Sequence, residues 1–466
     1  MNRNRKLLSN TGIIGVGTIA SKLLVFLLMP LYTAWLSTGE YGAAEVITGL
    51  SNFLIPIAAV GVSTGIFRFA AEKEVDKSAV FSSSVALLLL GLGGFLALSP
   101  LLLLIDYCRE YVWLVILYVF FADLQAVAAQ YLRAIDRMAL FAGQGILNTA
   151  LTVLLNVVFL YIFDMGVVGY VLSVVIGNAL TTLFMIVQAR LWCVFRISKI
   201  QKRLMWELLC FSLPLIPTTV CWLITDLSDR AMVTYFWSEE LTGIYSAAYK
   251  IPTVVNLVAG VFLQAWQFSA IFESDNEEEC ARFYSGVFSC FIAVITVGCA
   301  GLILLSRLLT MLLLNPSYWG ASTYMPVLLC AVAGEAIVSF LASVYLVQKK
   351  SNHSFWTAFI GAVLNICLNL LLIPRIGPLG AAIATAASYL LVMVIRLADV
   401  RRLMRFSMYP VRLFASLLLL FGAASAMTLE LPWMYLWASL ALLLILVINA
   451  RALWSGVRAI LFKKQL

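Results

Sequence analysis

Five carboxylates, Glu45, Asp123, Asp226, Asp229 and Glu335, and three cations, Lys22, Arg230 and Lys250, stand in stretches made otherwise of aliphatic and aromatic residues. A charge at the centre of a membrane helix costs about 3 kcal/mol or more unless it is paired or wetted, so each is a candidate for function. The cations, with Arg68 at the inner end of the second apolar run, suit a phosphate or pyrophosphate. Lysine offers a point charge there, and arginine can hold two oxygens at once. The carboxylates suit gating or the carriage of a coupling proton or sodium ion, because burial makes the charged form expensive and so ties ionisation to conformation. Amides and an indole at Asn52, Trp266, Gln267 and Asn365 complete a surface fit for a hydroxyl-rich ligand, although amides also bridge membrane helices for purely architectural reasons.

The spacing of these residues suggests partners. Lys22 and Asp226 fall at equivalent points of an internal repeat and at similar depth, so they can pair across a cavity. Static ion pairing is the architectural alternative. Asp229 and Arg230 are adjacent and point about 100° apart on a helix, so one faces a neighbouring helix. Glu45 and Lys250 lie one place out of register with opposite charge, and Asp123 and Glu335 stand midway along the fourth and tenth apolar runs.

The elements that must position these groups are membrane helices. The chain has 466 residues, 63% of them hydrophobic and 12% charged, with mean hydropathy +1.00, too apolar for a water-soluble core. At 1.5 Å per residue, about 30 Å of hydrocarbon is crossed by apolar runs at 11–36, 41–68, 79–104, 111–132, 138–163 and 166–189. A second series follows at 211–237, 241–272, 283–306, 320–348, 354–374 and 378–398, then 410–429 and 432–453, fourteen helices in all. Placing both termini in the cytoplasm leaves only Arg109, Arg307 and Arg375 of the 31 basic residues in outer loops, which sets the expected topology. The net charge of +8 is therefore a topology signal spread over inner loops, and no nucleic-acid partner is expected. The nine cysteines are scattered without a Cys-x-x-Cys pair, so neither a disulfide framework nor a metal site is expected. The first run is too long for a signal peptide and is expected to be retained.

The two series are copies of one design. TGEYGAAEVI at Thr38–Ile47 returns as TGIYSAAYKI at Thr242–Ile251, Tyr131-Leu132 with Phe141 returns as Tyr345-Leu346 with Phe355, and Gly166-x-x-Gly169 returns as Gly377-x-x-Gly380. Six helices per copy is an even number, so the repeats are parallel, an arrangement in which halves commonly rock about a midplane site. The expected organisation is an N-terminal lobe at 1–189, a basic cytoplasmic linker at 190–206, a C-terminal lobe at 207–400, and two additional helices with a basic tail at 401–466. Pro30, Pro56, Pro214, Pro217, Pro252 and Pro326 sit within spans, where each alone reads equally as an ordinary membrane-helix kink, and the placement of the first five in the first two helices of each half suggests gating.

Ser21-Lys22 with Phe26, Pro30-Leu31, Tyr41-Gly42, Arg68-Phe69, Ser228-Asp229-Arg230, Gly243-x-Tyr245-Ser246, Asn365-x-x-x-Asn369-Leu370 and Gly377-x-x-Gly380-Ala381-Ala382 together resemble the polysaccharide transporter branch of the multidrug, oligosaccharidyl-lipid and polysaccharide (MOP) exporter superfamily, from Asn10 to about Arg402. The resemblance implies a V-shaped, two-lobed, all-α transporter in the bacterial plasma membrane. It implies flipping of undecaprenyl-diphosphate-linked oligosaccharides by alternating access, without ATP, for surface polysaccharide assembly. It also places a basic substrate contact at Lys22 and a second at Arg230. Membrane lipids and the polymerase or glycosyltransferase machinery are the implied partners, and a monomer suffices. Coupling to protons, to sodium or to the membrane potential is open, the last worth about 2.3 kcal/mol per charge at 100 mV.

Three other readings are weighed against this one. A lipid II flippase would carry several early arginines, whereas Arg68 is the only one in the first two helices. A multidrug or cation antiporter would favour a carboxylate in the first helix, where this chain has Lys22. A membrane polymerase or ligase would need a sizeable outer loop and a nucleophile placed beside a base, and the spacing provides neither, so the chain is not expected to be an enzyme.

Overall fold

The computed structural model describes residues 29–70, 75–104, 109–213, 216–272, 277–347 and 351–461. Its regular elements are helical, and the chain divides into two compact units, Met1–Leu227 and Ser228–Leu466. Among the described residues, ten helices are long and apolar enough to cross a membrane, and they coincide with the third to sixth and ninth to fourteenth expected spans. The remaining expected spans are the first two of each half, where most of the candidate residues lie. Parts of 11–36 and 211–237 fall outside the described residues. Thr38–Ala58 and Ile216–Phe236 carry Glu40, Glu45 and Asn52 and Asp226, Asp229 and Arg230, respectively.

In the N-terminal unit, α1 (Met29–Trp35) leads to α2 (Thr38–Ala58), which opens with a reciprocal capping box. Ser37 Oγ accepts from the Glu40 amide at 3.2 Å, and the Glu40 carboxylate accepts from the Ser37 amide at 2.9 Å. The repeated decapeptide begins at this cap. Tyr41 through Ile47 are buried, and the small Gly42, Ala43 and Ala44 let neighbouring helices approach closely. The helix breaks at Ala59–Gly61 and resumes as α3 (Val62–Ala70). Then follow α4 (Lys77–Leu98), α5 (Val112–Ala134), α6 (Met138–Asn156, continued by a wider turn to Ile162) and α7 (Gly166–Ala189). The core forms where α5 packs against α2, α3 and α7.

The basic stretch after α7 is pinned along α4 by serines. Ser78 Oγ donates to the Val194 carbonyl, and Ser82 and Ser83 accept from the amides of Arg196 and Gln201 at 2.9 and 3.1 Å. Lys199 Nζ reaches Asp76 at 2.7 Å and holds its carboxyl below the usual range. Next come α8 (Lys202–Ser212), which packs on α3 and α4, and α9 (Ile216–Phe236), which carries the chain from the first unit into the second.

In the C-terminal unit, α10 (Glu239–Lys250) holds the second decapeptide. It is also capped by a serine, Ser238, which accepts from the Leu241 amide at 3.2 Å, and Thr242, Gly243, Tyr245, Ser246, Ala247 and Ala248 are buried. A turn at Ile251 and Pro252 separates it from α11 (Thr253–Phe272). The order continues with α12 (Glu277–Leu304), α13 (Ser306–Leu313), α14 (Ala321–Val347), α15 (Ser351–Ile376) and α16 (Pro378–Leu403). The final pair is α17 (Pro410–Thr428) and α18 (Met434–Leu461). α14 is the axis of the unit, contacted by α10, α11, α12, α16 and α17. The final pair lies against α12 and is tied there by Arg412, which donates to Ser289 Oγ at 2.8 Å and to its carbonyl at 2.9 Å.

The Gly-x-x-Gly echo has a common cause in both units. Gly166 and Gly377 adopt φ of 51° and 62° at the turn into α7 and α16, where a side chain would be strained. Three residues on, Gly169 and Gly380 let the helix touch the element before it. A Cβ at Gly169 would lie 2.9 Å from Met165 Cβ, and one at Gly380 only 2.7 Å from the Leu372 backbone carbon.

Candidate functional site

The densest polar cluster surrounds Asp229 of α9, which is only 3% exposed. Its Oδ1 accepts from Asn369 at 2.7 Å and Asn365 at 3.3 Å, both on α15, where i, i+4 spacing sets the two amides on one face. Its Oδ2 accepts from Thr385 of α16 at 2.6 Å and from Tyr245 of α10 at 2.9 Å. Around this shell, Ser228 Oγ donates to Asn365 Oδ1 at 3.0 Å, and Asn369 also reaches Asn365 Oδ1 at 3.0 Å. Asn369 Oδ1 is buried without a hydrogen-bond partner among the described residues. The neighbouring Arg230 turns toward α10, where its Nε meets Ser246 Oγ at 3.3 Å and its guanidinium lies 5.9 Å from the Tyr249 ring. The expected divergence of these two side chains thus sends Asp229 into the junction of α10, α15 and α16, and Arg230 along α10.

A second polar group in this unit joins Asn256 to Glu335 at 2.7 Å, linking α11 to α14. Lys250 is half-buried at the end of α10, and Asp226 is exposed on α9. The side chains of Trp266 and Gln267 lie outside the described residues.

In the N-terminal unit, Glu45 is buried among tyrosines. Tyr170 donates to its Oε1 at 3.3 Å, and the Tyr170 ring stands edge-on to those of Tyr32 and Tyr41. Asn156 donates to the Tyr32 hydroxyl at 3.1 Å, and Tyr118 donates to Asn52 Oδ1 at 3.4 Å, with Asn52 itself exposed. Asp123, on α5, is 1% exposed, and both of its carboxyl oxygens are buried without a hydrogen-bond partner among the described residues. Arg68 is exposed in the last turn of α3, and Lys22 lies outside the described residues.

The structure therefore gathers Asp229 with Asn365 in one unit, and Glu45 with the Tyr118 and Asn52 pair in the other. Sequence reasoning missed Thr385, Tyr170 and Tyr32, each a single hydroxyl in an apolar run that gives no signal until the fold brings it near a carboxylate. Tyr245 stood out in the repeat and in the family motif, but not as a partner of Asp229. It also missed Arg396, fully buried in α16, which donates to Thr357 Oγ1 at 2.9 Å and to the Val338 carbonyl at 2.9 Å.

Chemically, the Asp229 cluster offers one negative charge inside a shell of neutral hydroxyl and amide groups. Among the described residues no group of three or more histidine, cysteine or acidic side chains could hold a metal ion. A single carboxylate with neutral oxygens matches one monovalent cation or one proton. The orphaned Asn369 Oδ1 is an acceptor oxygen beside Asp229 that such a cation would satisfy, and rotating the Asn365 or Asn369 amide exchanges its nitrogen for its oxygen at the same place.

Comparison with known proteins gives a consistent result. The family described as polysaccharide biosynthesis protein matches residues 7–272. Among solved structures, the fold is similar to a lipid II flippase, MurJ, in an inward closed conformation, with a TM-score of 0.70 and 16% identity over 95% of this chain and 99% of that one. It is also similar to the outward-facing form of a multidrug resistance MATE family transporter of the MOP superfamily, with a TM-score of 0.63 and 14% identity over 84% and 95%. The MATE multidrug transporter DinF-BH gives a TM-score of 0.63 at 16% identity over 86% and 96%. No curated protein matches the chain in sequence.

Proposed function

The chain belongs to the polysaccharide biosynthesis protein family, carried on a transporter fold of the MOP superfamily, and from that premise we propose that it flips polyprenyl-diphosphate-linked oligosaccharides across the bacterial plasma membrane by alternating access. The observation that carries this reading is the Asp229 cluster. Burying a carboxylate with four polar partners inside apolar helices is costly, and a transporter has a use for it as the seat of a coupling ion. In this proposal Asp229, with Asn369, Asn365 and Thr385, holds a sodium ion or a proton. Binding discharges the carboxylate and changes which packing of α9 against α15 and α16 is favoured. Lys22, Arg68, Arg230 and Lys250 attract the diphosphate, and Asn52, Trp266 and Gln267 meet the sugar. Glu45, Asp123, Asp226 and Glu335 serve gating. No bond is made or broken, so the work is translocation and not catalysis.

The test is flipping of a fluorescent undecaprenyl-diphosphate oligosaccharide in proteoliposomes under a sodium gradient, a proton gradient or neither. Transport by the wild type, lost in Lys22→Ala and partly kept in Lys22→Arg, supports the cationic contact. Gradient dependence that disappears in Asp229→Asn supports the ion site, and the effective gradient names the ion. Absence of flipping by folded wild-type protein, together with gradient-driven export of a cationic dye, would replace the reading with multidrug antiport.

A further inference from the structure

Arg133, in the last turn of α5, has its guanidinium carbon 4.5 Å from the centroid of the Phe67 ring on α3 and 5.7 Å from that of Phe141 on α6. It is half-buried, yet among the described residues it makes neither a hydrogen bond nor an ion pair. The other arginines drawn into the helices are different. Arg396 spends its donors on Thr357 Oγ1 and the carbonyls of Val338 and Ser354, and Arg412, which also lies over the Tyr409 ring, gives both terminal nitrogens to Ser289. Arg133 instead lies against two aromatic rings, which shed water from part of its guanidinium, and its N–H donors have no hydrogen-bond partner among the described residues. Arg68 directly follows Phe67 and is exposed, and Arg137, one turn beyond Arg133, is exposed as well.

We propose that Arg133, clamped by Phe67 and Phe141 and assisted by Arg68, is a binding site for the phosphate-bearing head group of a membrane lipid. A guanidinium fork matches two phosphate oxygens, and a partly desolvated cation gains more from an anion than one in water does. α3 and α5 both end here, at what the expected topology makes the cytoplasmic face, where a lipid-linked diphosphate would be met before it is moved. The assignment of such a diphosphate as the ligand rests on the proposed flippase function.

The experiment measures lipid retention by native mass spectrometry of the full chain in detergent. Undecaprenyl diphosphate and phosphatidylglycerol are added separately, and inorganic pyrophosphate serves as competitor. Arg133→Gln is expected to weaken undecaprenyl diphosphate binding about tenfold, the scale of one lost charge-assisted pair, and Arg133→Lys less. Arg109→Gln should leave it unchanged. Phe141→Leu, which loosens the clamp while keeping the charge, gives a smaller loss and stands in if Arg133→Gln does not fold. A loss confined to the diphosphate identifies the carried substrate, and an equal loss for phosphatidylglycerol identifies bulk anionic lipid, with the head-group site upheld either way. Unchanged retention of both lipids in a folded Arg133→Gln overturns it. Flipping by the wild type is scored separately, so a silent transport assay counts against the proposed function and leaves the binding result to judge the site.

Discussion

Each unit buries a carboxylate in its helices, and the two are treated in opposite ways. Asp229 receives four donors from three helices, whereas Asp123 is buried at least as deeply and its oxygens receive none. An ionised carboxylate in apolar surroundings must be compensated, while a neutral acid costs far less. The comparison teaches that burial alone does not fix how a carboxylate is compensated. Asp229 has four donors and Glu45, in the N-terminal unit, accepts from Tyr170, whereas Asp123 has no donor among the described residues.

The largest effect should follow from removing the compensated group. Asp229→Ala strands Tyr245, Thr385, Asn365 and Asn369 without their acceptor and is expected to cost about 3 kcal/mol or more. This would be read as a lowered unfolding temperature in detergent together with lost gradient dependence. Asp229→Asn, which keeps the shape, should lose the ion response at a smaller cost in stability. If Asp229→Ala were as stable as wild type, the cluster would not be the tight network that separates the two units.

The glycine echo sharpens the comparison at a second place. A methyl group at Gly380 meets backbone atoms that cannot turn aside, whereas at Gly169 its nearest neighbour is the Met165 side chain, with the Phe159 carbonyl at 3.2 Å. Overpacking costs about 1–3 kcal/mol, so Gly380→Ala should lie at the upper end of that range and Gly169→Ala at the lower. Thermal unfolding of the pair decides it, and equal losses would mean that the two contacts are equally rigid.

How far this was legible in the sequence follows from the range of each signal. Apolar runs and the Gly-x-x-Gly echo are local, and ten of the expected spans reappear as helices long and apolar enough to cross a membrane. Asn365-x-x-x-Asn369 was legible as part of the family resemblance, and Asn365 as an amide suited to a hydroxyl-rich ligand. That the two amides meet Asp229 was not, since the contact spans some 140 residues of chain and nothing in either stretch names the other. Arg133 read as one more cytoplasmic cation, and only the two rings set it apart. The stretch 190–206 read as a linker from its charge. The serines that pin it to α4 face inward from an apolar helix, where serine is common and carries no message of its own.

Asp123 gives the next effect in size. With no partner to lose, Asp123→Asn is expected to change unfolding by less than about 1 kcal/mol, well below Asp229→Ala. If Asp123 serves gating, its replacement alters the pH dependence of flipping while stability stays the same. A large destabilisation would show that Asp123 is charged and compensated after all, and would erase the contrast between the units.

The smallest effect belongs to Asp76 and Lys199, which hold the basic stretch to α4. Asp76 lies outside the spans, and its carboxyl is held below the usual range chiefly by the hydrogen bond from Lys199. A lowered value in the folded state means that the pairing contributes its stability above the unfolded carboxylate range, near pH 4. That contribution is lost as pH falls through the lower folded value. Both side chains are substantially exposed, so solvent and salt screen the pair and its share of global stability is slight. The sensitive readout is therefore local. Hydrogen exchange at the amides of Arg196 and Gln201, which donate to Ser82 and Ser83, should quicken modestly in Lys199→Gln at neutral pH. With the intrinsic exchange rate at each pH divided out, acidifying the wild type below pH 4 should lower its protection to the level of the variant, while the variant's own protection responds little to that change. Equal acid sensitivity in both proteins would assign the docking to the serines alone and make the charge pair incidental.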